Sequence, residues 1–170
     1  MAIVTIDDYI GEVQLQIDNA TTARFNSIRD KHSDDYIYQL LGGELGTLYL
    51  ADLDANGVPS EARFLAIYNA FVQDASDVSL YGLVQSKGIK FYIKNIIWFY
   101  FARQNNVRIS LGGNKSSSSQ NSTPNADGLY LARIYNESID TGKAIQWYIN
   151  QNSETYPEYN GQRLIYCIGL

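Results

Sequence analysis

The 170-residue sequence predicts a mainly α-helical fold: a small helical bundle with an extended β-like arm and a short C-terminal strand, all within residues 1–170 as one domain. Three observations lead there. Five segments space their apolar residues three and four apart, the period of a helix with one face buried. One of them, residues 89–105, is apolar on nearly every side and so belongs at the centre of a bundle. The last two helical segments are separated by a strand-like stretch and a polar tract, residues 114–125 with Ser116-Ser117-Ser118-Ser119 inside it, which cannot bury enough apolar area to order itself.

In chain order, residues 1–17 read as an N-terminal arm. Thr5-Ile6-Asp7-Asp8 is the pattern of a short capped helix stopped by Gly11, and Val13, Leu15 and Ile17 then alternate like a strand. Residues 21–41 are helical, with Phe25, Ile28 and His32 on one stripe and Ile37, Leu40 and Leu41 continuing the burial. Gly42-Gly43 interrupts. A second helix over 44–52 turns Leu45, Leu48 and Tyr49 inward. Asn56-Gly57 marks a turn, and Pro59 leads into a third helix over 60–73 carrying Phe64, Leu65, Tyr68, Phe71 and Val72. Residues 74–87 read as loop.

The helix over 89–105 carries the stripe Ile89, Tyr92, Ile93, Ile96 and Tyr100, with Phe91, Trp98 and Phe101 on its other sides. Residues 107–111 alternate like a strand, halted by Gly112-Gly113. The last helix, 127–151, points Leu131, Ile134, Tyr135, Ile145 and Tyr148 inward, and Gly142 is an expected bend or break. Tyr156-Pro157 closes that region, and Leu164-Ile165-Tyr166-Cys167-Ile168 reads as an apolar strand that needs a sheet edge to pair with.

Composition excludes several classes. Hydrophobic residues are 45% and charged residues 18% of the chain, enough for a packed core. One cysteine, Cys167, leaves no intramolecular disulfide framework, and the first eight residues lack the basic flank and apolar stretch of a signal peptide. The longest purely apolar run, residues 96–102, is too short to span a bilayer. A protein of the reducing cytoplasm is expected. The 14 tyrosines, against 6 phenylalanines, suit surfaces buried only on assembly. Net charge is −5, unevenly spread: residues 1–60 hold ten acids and three bases, whereas Lys87, Lys90, Lys94, Arg103, Arg108 and Lys115 occur without an intervening acid. That polarity suits head-to-tail association of copies.

Catalytic chemistry finds few candidates, and the chain is read as a non-enzyme without metal or cofactor. His32, the single histidine, has Asp34 and Asp35 nearby but no serine in a strained elbow. Asp52, Asp54, Asn56 and Gly57 open a calcium-loop pattern, which fails where Arg63 replaces the bidentate glutamate, so an Asx-rich turn is the better account. Gly112-Gly113-Asn114-Lys115-Ser116 lacks the glycines of a phosphate loop at the required places. Lys87, Lys90 and Lys94 share a helix face on which a phosphate or a partner's acids could sit, a nucleic-acid reading that the acidic whole disfavours.

The succession over residues 88–159 resembles the head-to-tail adaptor (connector) proteins of tailed bacteriophages, those of Bacteroidetes-infecting and crAss-like phages especially. The residues that carry it are Gly88-Ile89-Lys90 through Arg103-Gln104, the arm over 107–125, and Ala126 through Tyr156-Pro157-Glu158-Tyr159. The resemblance implies a virion neck protein forming a ring, typically of twelve copies, which joins the portal to the tail and passes DNA through its lumen without recognising sequence. It further implies that the arm over 107–125 and the C-terminal docking strand over 161–170 make the contacts. Arg108, Lys115 and Ser117 would act on the first, and Arg163, Ile165, Tyr166 and Ile168 on the second. A tail-completion or other neck protein is the alternative within this class. Outside it stand a helical nucleic-acid-binding module and a hydrolase built on His32.

Overall fold

The apolar helix over 89–105 forms as α4 (Ile89–Asn105) and lies at the centre of a helical bundle, with Ile89, Tyr92, Ile93, Ile96, Ile97, Phe99 and Phe101 buried. The computed structural model describes residues 2–9, 19–74, 82–105, 107–110, 113–116 and 127–166. Against α4 pack α1 (Asn19–Leu41) and α5 (Asp127–Gln151), which also touch each other, and α2 (Gly43–Ala51) packs against α1. The short α3 (Ala62–Tyr68) contributes Phe64 and Ile67 to the same core. The fold is mainly α, as the sequence predicts, and among the described residues no helix is long and apolar enough to cross a membrane.

Two antiparallel hairpins accompany the bundle: β1 (Phe71–Asp74) with β2 (Leu83–Ser86), and β3 (Val107–Ser110) with β4 (Gly113–Ser116). The second is the expected β-like arm, and the start of the polar tract supplies its return strand. The first corrects the reading of one helix over 60–73 followed by a loop. That helix ends at Tyr68 because the chain entering α4 crosses it there. Gly88, at φ 87°, lies so close that a Cβ would stand 2.1 Å from the Tyr68 carbonyl oxygen. Phe71 and Val72, aromatic and β-branched, then extend and pair with Ser86 and Gln85. The inward face of the hairpin packs on α5, with the Phe71 and Tyr148 rings 5.0 Å apart and the Ser86 hydroxyl reaching the Thr141 carbonyl at 3.4 Å.

The N-terminal residues form the capped turn expected of them. Residues Ile6–Asp8 make a 3-10 turn in which the Asp8 carboxylate accepts the Thr5 N–H at 2.8 Å. Tyr9 then docks on the bundle, its ring edge-on to Phe25 at 5.1 Å and its hydroxyl donating to the Lys94 carbonyl at 2.8 Å. The strand expected at Val13, Leu15 and Ile17 lies outside the described residues. Leu48, expected inward on α2, is instead half exposed, because Leu45 and Tyr49, one turn apart, form the buried edge.

The C-terminal segment also departs from expectation. Residues 161–166 form no strand. They cross the end of α1, where the last helical carbonyls have no partner within the helix. The Asn160 and Gln162 N–H groups donate to the Leu41 and Gln39 carbonyls at 3.4 and 2.8 Å, and the Gln146 side chain reaches both the Leu40 carbonyl (3.0 Å) and the Gln162 carbonyl (2.8 Å). The segment thus satisfies a helix end rather than a sheet edge. Residues 167–170, with Cys167 and Ile168, lie outside the described residues.

Candidate interaction surfaces

The motifs that hinted at chemistry resolve into structural roles. The Asp54 carboxylate accepts the backbone N–H groups of Asn56 (2.8 Å) and Val58 (2.9 Å), closing an Asx turn. Asp52 accepts the N–H groups of Ser60 and Glu61 at 2.8 Å each, and the Ser60 hydroxyl as well, at the entry to α3. The Ser60 hydroxyl, against the opposing effect of desolvation and with help from the Glu61 and Ser60 N–H donors, holds the Asp52 carboxyl below its ordinary range. Both aspartates are therefore occupied as anchors for the turn, and no group of three metal-binding side chains occurs among the described residues. Residues 113–116 are strand, whereas a phosphate loop must open a helix.

His32 stacks on the Tyr100 ring, centroids 4.0 Å apart and planes 9° off parallel. Burial, followed by the neighbouring Lys31 charge, pushes its pKa down, against the pull of Asp35. Tyr100 in turn meets Tyr36, hydroxyl to hydroxyl at 2.7 Å. The histidine belongs to an aromatic contact between α1 and α4. The lysine face is similarly engaged. Lys90 pairs with Asp8 at 2.8 Å, Lys87 approaches Glu137 at 3.7 Å, and the Lys94 ammonium lies 5.6 Å from the centre of the Tyr9 ring. Phosphate would have to displace these partners, which weakens the nucleic-acid reading.

No family model, curated protein or solved structure matches the chain. The surface itself therefore carries the functional argument. Of the arm residues expected at interfaces, Arg108 and Lys115 are brought directly opposite one another by the β3–β4 register. Ser117 and Ile168 lie outside the described residues. Arg163 is exposed, and Ile165 is 69% exposed. Tyr166 is held to α5: its hydroxyl donates to Asp140 at 2.5 Å, and the Lys143 ammonium sits 3.3 Å from its ring centre. The Asp140 bond, with some burial, pushes the Tyr166 phenol up to about 12.

Val72 (61%), Leu83 (59%) and Leu129 (71%) are exposed apolar residues that the sequence reading does not place at the surface. Val72 was assigned to a helix and Leu83 to a loop. The signal that finds them is the near-repetition of Phe71-Val72-Gln73-Asp74 in Leu83-Val84-Gln85-Ser86, two short β-prone runs able to pair with each other. Leu129 lies at the start of α5, and nothing in the apolar spacing marks it as outward. Beside the hairpin a cleft of about 290 Å³ is lined by Gln85, Lys87, Glu137, Asp140 and Thr141, polar groups with charges of both signs.

Proposed function

We propose that this chain is a non-enzymatic structural subunit that assembles with copies of itself, and that it serves as the ring-forming head-to-tail adaptor joining portal to tail in a tailed bacteriophage. The observation that carries the reading is the set of large apolar side chains left outside the bundle: Val72, Leu83, Leu129 and Ile165, each more than half exposed. Single exposed apolar residues are ordinary on a monomer, but two on one small hairpin face amount to a surface that gains by being covered. The candidate catalytic and metal-binding groups, by contrast, are engaged in turns and ring contacts. The organisation adds support: a helical core, a hairpin arm leaving the end of α4, and a terminal segment strapped across α1. The outward acids Asp30, Asp34 and Asp35 on α1 suit a channel in which DNA must slide, since contacts to phosphate create affinity.

Native mass spectrometry of the chain, alone and co-expressed with its genomic neighbours, tests the proposal. A ring-sized assembly, particularly one formed only beside a portal-like neighbour, is expected. A strict monomer in every combination would sink it.

A further inference from the structure

Two asparagine–glycine pairs occur in the sequence, Asn56-Gly57 and Asn160-Gly161, both outside helices and strands and both with the asparagine exposed. Such pairs carry chemistry of their own. Asparagine is thermolabile, and a following glycine, with no Cβ in the way, lets its backbone nitrogen swing onto the asparagine side chain. Hydroxide takes the glycine N–H proton, and that nitrogen bonds to the side-chain amide carbon. The bond to the amide nitrogen breaks, and ammonia leaves with a proton from water, which regenerates the hydroxide. Water then opens the five-membered imide at either carbonyl, giving aspartate or isoaspartate. In isoaspartate the main chain runs through the side chain and is longer by its CH2.

The fold treats the two pairs differently. At the first, the Asp54 carboxylate accepts the Asn56 N–H at 2.8 Å and also holds the Asn56 side-chain amide. The attacking group there, the Gly57 N–H, is committed to the Asp54 carbonyl at 3.0 Å. Nucleophile and target are both held. At the second, among the described residues, neither the Gly161 N–H nor the Asn160 side-chain amide has a hydrogen-bond partner. Asn160 lines an open cleft of about 360 Å³, together with Asp35, Tyr38 and Gln162.

We propose that Asn160 is a site of spontaneous deamidation, with Asn56 its guarded counterpart, and that isoaspartate at 160 loosens the terminal segment from α1. The N–H groups on either side of Gly161 are the ones that tie this segment down: Asn160 to the Leu41 carbonyl at 3.4 Å and Gln162 to the Gln39 carbonyl at 2.8 Å. An added CH2 between residues 160 and 161 shifts the second anchor relative to the first. Gly161 has no room to absorb the shift, since even a Cβ there would stand 2.3 Å from the Leu40 carbonyl oxygen. The product also places a new carboxylate in the cleft that Asp35 already lines, and like charges repel. None of this depends on the assembly reading above.

The test ages full-length protein at mildly alkaline pH, folded or in urea, and follows both sites by peptide mass spectrometry. In urea the two pairs should convert at similar rates. In the folded chain Asn160 should outpace Asn56 by at least about fivefold, the factor that goes with one net hydrogen bond on the reacting groups. Asp54→Ala, at an exposed position, should speed Asn56 by a similar factor and leave Asn160 unchanged. Asp54→Asn keeps an acceptor and should stay near the wild type. Hydrogen exchange in the aged protein should quicken over residues 160–166, and Asn160→Gln, which closes the larger imide far more slowly, should age without that change. Asn56 matching or outpacing Asn160 in the folded chain overturns the proposal, as does a folded chain that keeps Asn160 intact while the urea sample converts. Unchanged exchange in protein converted at Asn160 overturns the loosening of the terminal segment.

Discussion

Gly142 lies well inside α5, where glycine weakens a helix by about 1 kcal/mol relative to alanine. Propensity alone makes Gly142→Ala stabilising, but the packing reverses the sign. A Cβ at this position would stand 2.5 Å from the Leu164 Cδ1 atom and 2.9 Å from the Tyr92 ring. The leucine tip can swing aside; the ring, buried between helices, cannot. Overpacking of this kind costs roughly 1–3 kcal/mol. Gly142→Ala should therefore lower the urea midpoint, and its effect should be smaller in a Leu164→Ala background, where part of the clash has been removed; equal effects in both backgrounds would place the strain on Tyr92 alone. Asp52 gives a prediction in pH. Its folded pKa lies below the ordinary 3.8, mainly through the Ser60 hydroxyl. A depressed carboxylate contributes stability that is present above its unfolded pKa and lost as pH falls through the folded one. Chemical denaturation between pH 5 and pH 2 should show a steeper acid loss in the wild type than in Asp52→Asn, and identical acid limbs would refute the anchoring role.

The terminal segment and α3 hold one another through the turn that follows α5. The buried Tyr156 hydroxyl donates to the Arg63 carbonyl at 2.6 Å, and the Arg63 guanidinium meets Glu158 at 3.2 Å. Tyr156→Phe removes one hydrogen bond while keeping the ring, so it should cost about 1 kcal/mol. Thermal denaturation measures this, and hydrogen exchange should quicken first in α3 and the segment after α5; uniform quickening would argue against a local clasp. These contacts also show what the sequence could disclose. Helices α4 and α5 were legible to the residue, because long apolar periodicity survives any tertiary context. The Asp52–Gly57 turn was legible because Asx chemistry is local. The β1–β2 hairpin was hidden: four-residue strands carry too little period, and the end of α3 is set by Gly88, nineteen positions beyond Asn69. The C-terminal run Leu164-Ile165-Tyr166 has the composition of a strand, but the chain just before it is tied to the end of α1, where the Asn160 and Gln162 N–H groups donate to the Leu41 and Gln39 carbonyls, a placement visible only in three dimensions. The exposed patches were illegible for a related reason, since an outward leucine and an inward one look alike until their neighbours are placed.

At the scale of the whole molecule, the charge asymmetry along the chain suggested that copies associate acidic face to basic face. Folding engages several of these charges internally. Asp8 from the acidic end pairs with Lys90, Glu137 takes Lys87, Glu158 takes Arg63, and the Arg24 guanidinium donates to the Gln104 carbonyl at 2.6 Å. What remains between copies is a net charge of −5 on each, which repels, and apolar patches, which attract. A solvated ion pair at the rim of such a contact sets orientation and adds at most about 1 kcal/mol. Raising sodium chloride from about 0.1 to about 1 M shortens the screening length from about 10 to about 3 Å, weakening the repulsion and the rim pair together while leaving apolar burial intact. Assembly should therefore persist or tighten across that range when followed by analytical ultracentrifugation. Dissociation with a steep salt dependence would instead mean that exposed bases such as Arg103 and Arg163 carry the contact, and aspartate substitutions at Val72, Leu83 and Leu129 would then have little effect.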